Sequence, residues 1–158
     1  SIVKRENNQN LFTIGEVFKQ KGYTRTFFYG GDGYFDNMNH FFGNNGFDII
    51  DRKKNFRPAA LISTKRTQIN DDEVTFENAW GICDGDLFDK VLKEADEQFK
   101  NKKPFFNFVM TSSNHKPYTY PNGIVNIPSG TNRAVYPACK AAADIFVANG
   151  ATYPSTFE

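Results

Sequence analysis

The stretch from Tyr23 to Gly46 limits most tightly what this chain can fold into. Thr26-Phe27-Phe28-Tyr29 is a short apolar run of β-formers, long enough for a buried strand. It breaks at Gly30-Gly31-Asp32-Gly33, which no regular element accommodates. Phe35-Asp36-Asn37-Met38 then opens a helix that Asp36 can cap, carrying Met38, Phe41 and Phe42 at i, i+3, i+4 spacing and closing at Gly43 to Gly46. Strand, glycine turn and helix in that order are how an open α/β sheet presents polar groups at the carboxyl ends of its strands, where ligands bind. Asp32, Asp36 and Asn37 lie on that edge.

The flanking sequence extends the pattern. Thr13-x-x-Glu16 is a capping box, followed by Ile14, Val17 and Phe18 as an apolar face and by Gly22 as the stop. Phe47 to Asp51 is a second extended piece. Arg52 to Asn78 is polar, carries Pro58, shows no sustained period and reads as a long surface excursion. The pattern resumes at Trp80-Gly81-Ile82-Cys83-Asp84. Asp84 is the expected N-cap of an amphipathic helix bearing Leu87, Phe88, Val91, Leu92, Ala95 and Phe99. Asn101-Lys102-Lys103-Pro104 ends it, and Phe105 to Met110 reads as a fully buried parallel strand. His115 follows just past that strand's carboxyl end. Pro117, Pro121, Gly123, Pro128 and Gly130 keep the next stretch in turns, and an alanine-rich helix is expected from about Ala138 to Ala148. This order predicts an α/β fold with a mainly parallel sheet flanked by helices. Such a sheet must be covered on both faces, and the few strands visible read as part of one.

Composition narrows the function classes. Basic and acidic residues number 19 and 18, so no general attraction to nucleic acid or acidic lipid follows. No apolar run approaches the roughly 20 residues of a membrane span. Cys83 and Cys139 lack metal-ligand spacing; they can pair in an oxidising compartment, but two thiols do not fix one.

Two strand-end loops offer chemistry: Asp32, Asp36 and Asn37 from one, Asn114 and His115 from the other. If their strands are neighbours, the loops form a cleft with carboxylates and an imidazole. It would suit a hydroxylated or phosphorylated head group, with His115 donating to an anionic oxygen. Simpler readings stand beside this one. Asp36 can be only a helix cap, Asp32 only a turn residue, and Asn114-His115 only a solvated loop. His40 reads as structural or exposed, and Trp80 and Cys83 as packing. Asp71-Asp72-Glu73 are consecutive acids that do not converge on one ion. The glycine turn lacks both the Walker lysine and the dinucleotide spacing.

Three ordered blocks, FFYGGDGYFDNMNHFF, WGICDGDLFDKVL and FFNFVMTSSNHKPYTYPNG, resemble the extracytoplasmic catalytic domain of bacterial lipoteichoic-acid-synthase-like phosphoglycerol transferases. Those enzymes belong to the sulfatase and alkaline-phosphatase superfamily. The resemblance runs from about Asn10 to Tyr136 and leaves Pro137 to Glu158 as a divergent tail. It implies a partial alkaline-phosphatase/sulfatase-like fold, with residues 1–158 as a single, incomplete domain. In the complete enzyme it implies that a threonine bound to a divalent cation, typically manganese, attacks a phosphodiester. The phospho-threonine so formed then passes its group to an acceptor hydroxyl.

By the same resemblance His115 falls on a substrate-binding histidine, and Tyr29 to Met38 on the head-group loop. There Tyr29, Asp36 and Met38 stand near the family's histidine, tryptophan and arginine, which leaves open phosphoglycerol, another phosphorylated head group, or a sulfate ester. The implied substrate-binding set is Tyr29, Asp32, Asp36, Asn37, Asn114 and His115. The family's nucleophile and metal ligands lie before and after the matched part. No metal ligand is therefore assigned, and this chain alone is expected to be inactive and to bind no metal. A non-catalytic binding module that holds such a head group and a sulfuric ester hydrolase are the alternative readings. The expected partner is a phospholipid head group or another phosphate or sulfate ester, with no nucleic acid, and with a membrane only through segments absent here. The expected location is extracytoplasmic, on the periplasmic or cell-surface face of a bacterial membrane.

Overall fold

Alternation of apolar residues along β1 (Thr24–Tyr29) sets up a sheet with a core on each face. Phe27 and Tyr29 join one cluster and Phe28 joins the other, as a period of two requires. β2 (Asp48–Asp51) does the same with Ile49 and Ile50. The computed structural model describes residues 1–52, 62–115 and 118–124, in two compact units, Ser1–Ser113 and Asn114–Glu158.

In the first unit β3 (Arg66–Gln68), β2, β1 and β6 (Phe105–Met110) form a sheet in the order β3-β2-β1-β6, and every pairing is parallel. Phe27 is in register with Ile49 on one side and Phe108 on the other. α1 (Ile14–Gln20) and α2 (Met38–Asn44) serve one face. There the Phe27 and Phe42 rings stack with centroids 3.8 Å apart, and Phe18 stacks on Phe106 at 4.2 Å. The other face is covered by α3 (Asp84–Lys100), whose Leu87 is fully buried against Phe28, Ile50, Ile69 and Ile82. An antiparallel hairpin, β4 (Glu77–Asn78) and β5 (Gly81–Ile82), precedes α3. The expected α/β architecture, a mainly parallel sheet flanked by helices, is present.

Several local expectations change. The supposed excursion after Arg52 contributes β3, a 3-10 turn at Asp71–Glu73 and β4. Arg-Thr-Gln carries no apolar period, and β3 joins the sheet through its backbone pairing with β2. β6 is half-buried throughout rather than fully buried, because among the described residues it is an edge strand. Ile14 and Val17 are exposed; α1 touches the sheet through Phe18 and through Gly15, which sits against the Phe47 ring. Thr13 is the N-cap of α1 but its side chain makes no capping bond.

On α3, Leu87 and Val91 face the sheet while Phe88, Leu92 and Phe99 are exposed. The helix is held laterally by polar ties. Glu73 accepts from Lys90 and Lys93 at 3.0 Å each, and Lys90 also pairs with Glu94 at 3.2 Å. Burial opposes the Glu73 charge, but the hydrogen bonds from Lys90 and Lys93 outweigh it and bring its pKa down to about 2. Buried Asp86 accepts from the Thr75 hydroxyl and from the Thr75 and Phe76 amides. The expected helix at Ala138 to Ala148, Cys139 and the divergent tail lie outside the described residues.

In the second unit the Tyr118 amide donates to the His115 carbonyl at 2.8 Å, and a turn closes from Pro121 to Ile124.

Candidate functional site

The carboxyl ends of β1, β2 and β6 finish level: Tyr29 is in register with Asp51 and with Met110. Just beyond Tyr29 the chain turns through Gly30 to Gly33, and the hairpin loop at Trp80-Gly81 closes on it. The Ile82 amide donates to the Gly30 carbonyl at 2.9 Å. A Cβ at Gly31 would overlap the Trp80 carbonyl oxygen. Gly81 sits at φ +130°, and a Cβ there would run into the Gly30 carbonyl, so this approach is open only to glycine. From the other side Asp84 Oδ1 accepts from the Ser112 and Ser113 amides at 2.9 and 3.1 Å, while the Asp84 amide donates to Ser113 Oγ at 2.9 Å. Asp84 is therefore a tie between α3 and the end of β6, and Cys83 takes the N-cap position. All three sequence blocks meet at this one edge.

Tyr29 is buried, and burial first, then the charges of Asp32 and Asp36, push its phenol pKa up. The hydroxyl thus stays protonated and can donate. Asp32 Oδ1 accepts from the Tyr34 amide at 3.0 Å, the turn geometry its setting suggested. Asp36 is not the helix cap. It lies in the left-handed region at φ +53° and pairs with Lys4 at 2.7 Å, while Asn37, at φ +63°, takes the cap position without a side-chain bond. Asn37 Nδ2 donates to the Val3 carbonyl at 3.0 Å, so the N-terminal 3-10 turn Ile2–Lys4 braces this loop. Tyr29, Asp32, Asp36 and Asn37 share one rim in the first unit; Asn114 and His115 open the second unit. His40 is structural, its Nδ1 lying 3.1 Å from Asn8 Oδ1.

Sequence reasoning missed the residues that support the rim. Asp51, fully buried at the end of β2, accepts on Oδ2 from the Gly33 amide at 3.0 Å and from Asn39 Nδ2 at 2.9 Å. Its Oδ1 lies 2.6 Å from Arg66 Nη2. Burial pushes its pKa up even though Asn39, Arg66 and the Gly33 amide stabilise the charge. Asp51 could have been found, since it ends a strand just as Asp32 follows one. Arg52 carried no signal. It is 4% exposed, donates to the Ile69 carbonyl at 2.8 Å, and pairs with Asp71 at 2.6 Å and Glu77 at 2.9 Å.

A cleft of about 180 Å³ opens on this edge, lined among others by Asp32, Arg52, Asn78 and Trp80. Trp80 packs edge-on against Phe35 at 6.0 Å. It therefore borders the cleft as well as packing. Among the described residues no three His, Cys, Asp or Glu side chains converge on a point that could hold a metal ion. Asp71 and Glu73 are instead held by Arg52, Lys90 and Lys93.

The sequence profile of the sulfatase family matches residues 3–144. The chain belongs to the sulfatase family. Over 96% of its length this sulfatase-family chain is similar to a protein in the alkaline phosphatase superfamily from Vibrio parahaemolyticus, with 35% identity and a TM-score of 0.66. Over 94% it is similar in fold to the lipoteichoic acid synthase LtaP from Listeria monocytogenes, with 19% identity and a TM-score of 0.60. It covers 35% of the first structure and 36% of the second, so it spans about a third of each. The fold is thus the partial alkaline-phosphatase-superfamily architecture that the three blocks imply.

Proposed function

We propose that this sulfatase-family chain supplies the head-group side of a phosphotransferase acting on phosphoglycerol or a related phosphorylated head group. The observation that carries the reading is the meeting of all three blocks at the carboxyl edge of the sheet. Asp32 and Asp36 are acceptors suited to head-group hydroxyls rather than to a phosphate, which their charges repel. The protonated Tyr29 hydroxyl, with Asn37 as a further candidate on the same rim, supplies donors for the anionic oxygens. Trp80 gives the cleft an aromatic wall for the carbon skeleton.

The resemblance assigns the chemical step to a metal-bound, manganese-dependent threonine that is phosphorylated in turn, acting on a phospholipid head group at the extracytoplasmic face. Among the described residues no three His, Cys, Asp or Glu side chains converge on a metal position, and the role we assign to the rim is binding and orientation. Exposure of the protein to protease added outside intact spheroplasts checks the location; full protection contradicts it.

Trp80 is the single tryptophan, so its fluorescence reads the cleft directly. Titration with glycerol phosphate is expected to give a saturable change that Asp32→Asn weakens by roughly tenfold, about 1.4 kcal/mol. A response equal in both proteins, or none in either, rejects the reading. A larger response to an aryl sulfate would favour the sulfate-ester alternative.

A further inference from the structure

A larger cleft, about 360 Å³, lies at the opposite, amino end of the strands, between the start of β1, the end of α2 and the segment before α1. Its lining includes Asn10, Phe12, Glu16, Lys19, Arg25 and Gly46. Arg25 is the feature that needs an explanation. Among the described residues its guanidinium makes one hydrogen bond, from Nη1 to the Gly15 carbonyl at 3.4 Å, no carboxylate pairs with it, and its buried Nε has no acceptor. Arg52 offers a comparison in the same chain: two carboxylates and a carbonyl take up its donors. Buried donors of this strength normally find an acceptor.

The guanidinium packs on glycine backbone at the cleft wall. Gly46 is at φ +83°, and a Cβ there would stand 2.6 Å from Arg25 Nη1. Lys19, a second cation on the lining, is held only loosely by Glu16 at 3.7 Å. Asn45 is not available, because its amide is spent on the Asn8 and Phe41 carbonyls and on the Leu11 amide. Asn10 adds an amide, and Phe12, 75% exposed, an apolar wall. Two cations beside one acid leave the cleft net positive, and the volume falls in the range of small-molecule sites.

We propose that this amino-end cleft binds a small phosphomonoester, its phosphate on Arg25 and Lys19 and its carbon body against Phe12. The site is separate from the carboxyl-edge rim and does not depend on the function proposed for that rim.

The test is a titration of the whole chain with inorganic phosphate and then glycerol phosphate at constant ionic strength, read on the Arg25 Nε–H proton–nitrogen signal. The expected result is a saturable shift of that signal with both probes, stronger with glycerol phosphate and absent with chloride. Arg25→Gln removes the site, so the shift of the Gly46 amide, which lies against the guanidinium in the wild type, is expected to be lost in that variant. Lys19→Gln, at a position whose side chain is 60% exposed, is expected to weaken binding by roughly tenfold. Trp80 fluorescence should respond to glycerol phosphate as before in both variants, which separates this site from the rim. No saturable shift, an equal shift with chloride, or unchanged affinity in Lys19→Gln overturns the proposal.

Discussion

Gly81 shapes the rim by lacking a side chain. Replacing it with alanine forces a methyl group into the Gly30 carbonyl at a backbone angle that L residues avoid. Gly81→Ala is expected to cost about 2–4 kcal/mol in urea unfolding; a loss under about 1 kcal/mol would show that the close approach of the two loops is not needed. Asp36 calls for the opposite expectation. Its ion pair with Lys4 is substantially exposed, so Asp36→Ala should change stability by less than about 1 kcal/mol. Any loss of glycerol-phosphate affinity in that variant then reads on binding and not on folding. These two residues also show what a sequence reveals at this scale. The glycine break marked the rim because few structures tolerate it. The capping role given to Asp36 failed because two successive left-handed residues delay the helix, and because Lys4 reaches the carboxylate from a distant part of the chain. Arg66 left no local pattern to read, since its pairing with Asp51 arises only when β3 joins β2.

Elements were legible where periodicity was strong. α1, β1, α2, β2, α3 and β6 all appear close to where their patterns place them. β3 was hidden because three polar residues can pair as a strand without a period, and the outward row of α3 was misread because Phe88, Leu92 and Phe99 do not face the sheet. The 3-10 turn at Asp71–Glu73 was hidden for a similar reason, yet it anchors α3 through Glu73. Lys90 and Lys93 hold Glu73 in its charged form, so its folded pKa lies below the ordinary 4.5, at about 2. A lowered carboxylate pKa adds stability that is fully present above the unfolded value and disappears as pH falls through the folded one. The contribution is on the order of 3 kcal/mol near neutral pH. Thermal melts of the wild type and Glu73→Gln should therefore differ at pH 6 and converge as pH approaches about 2. Curves that stay parallel throughout that window would remove Glu73 as the cause. Lys90→Met, which strips one donor from Glu73 at a buried position, should cost about 2 kcal/mol by urea unfolding at neutral pH.

At the level of the molecule, a parallel sheet of order β3-β2-β1-β6 carries a polar rim at one end and a cationic cleft at the other. The family was legible because three separated blocks had to occur in order, and the contacts among Gly30, Ile82, Asp84 and Ser112 give that order a physical meaning. The head group was not legible, since Tyr29, Asp36 and Met38 depart from the pattern that would name it. With manganese and an aryl phosphodiester, this chain alone is expected to show no turnover above the metal-only rate. Turnover abolished by a substitution within the chain would mean that it carries its own catalytic centre. The most direct test of the central claim is a map of backbone amide shifts during a glycerol-phosphate titration of the Arg25→Gln variant, which silences the amino-end cleft. Saturable shifts gathered on residues 31–37 and 78–81 are the predicted result. A saturated map with those amides unmoved, or no saturable shift anywhere, would contradict a head-group site at the carboxyl edge.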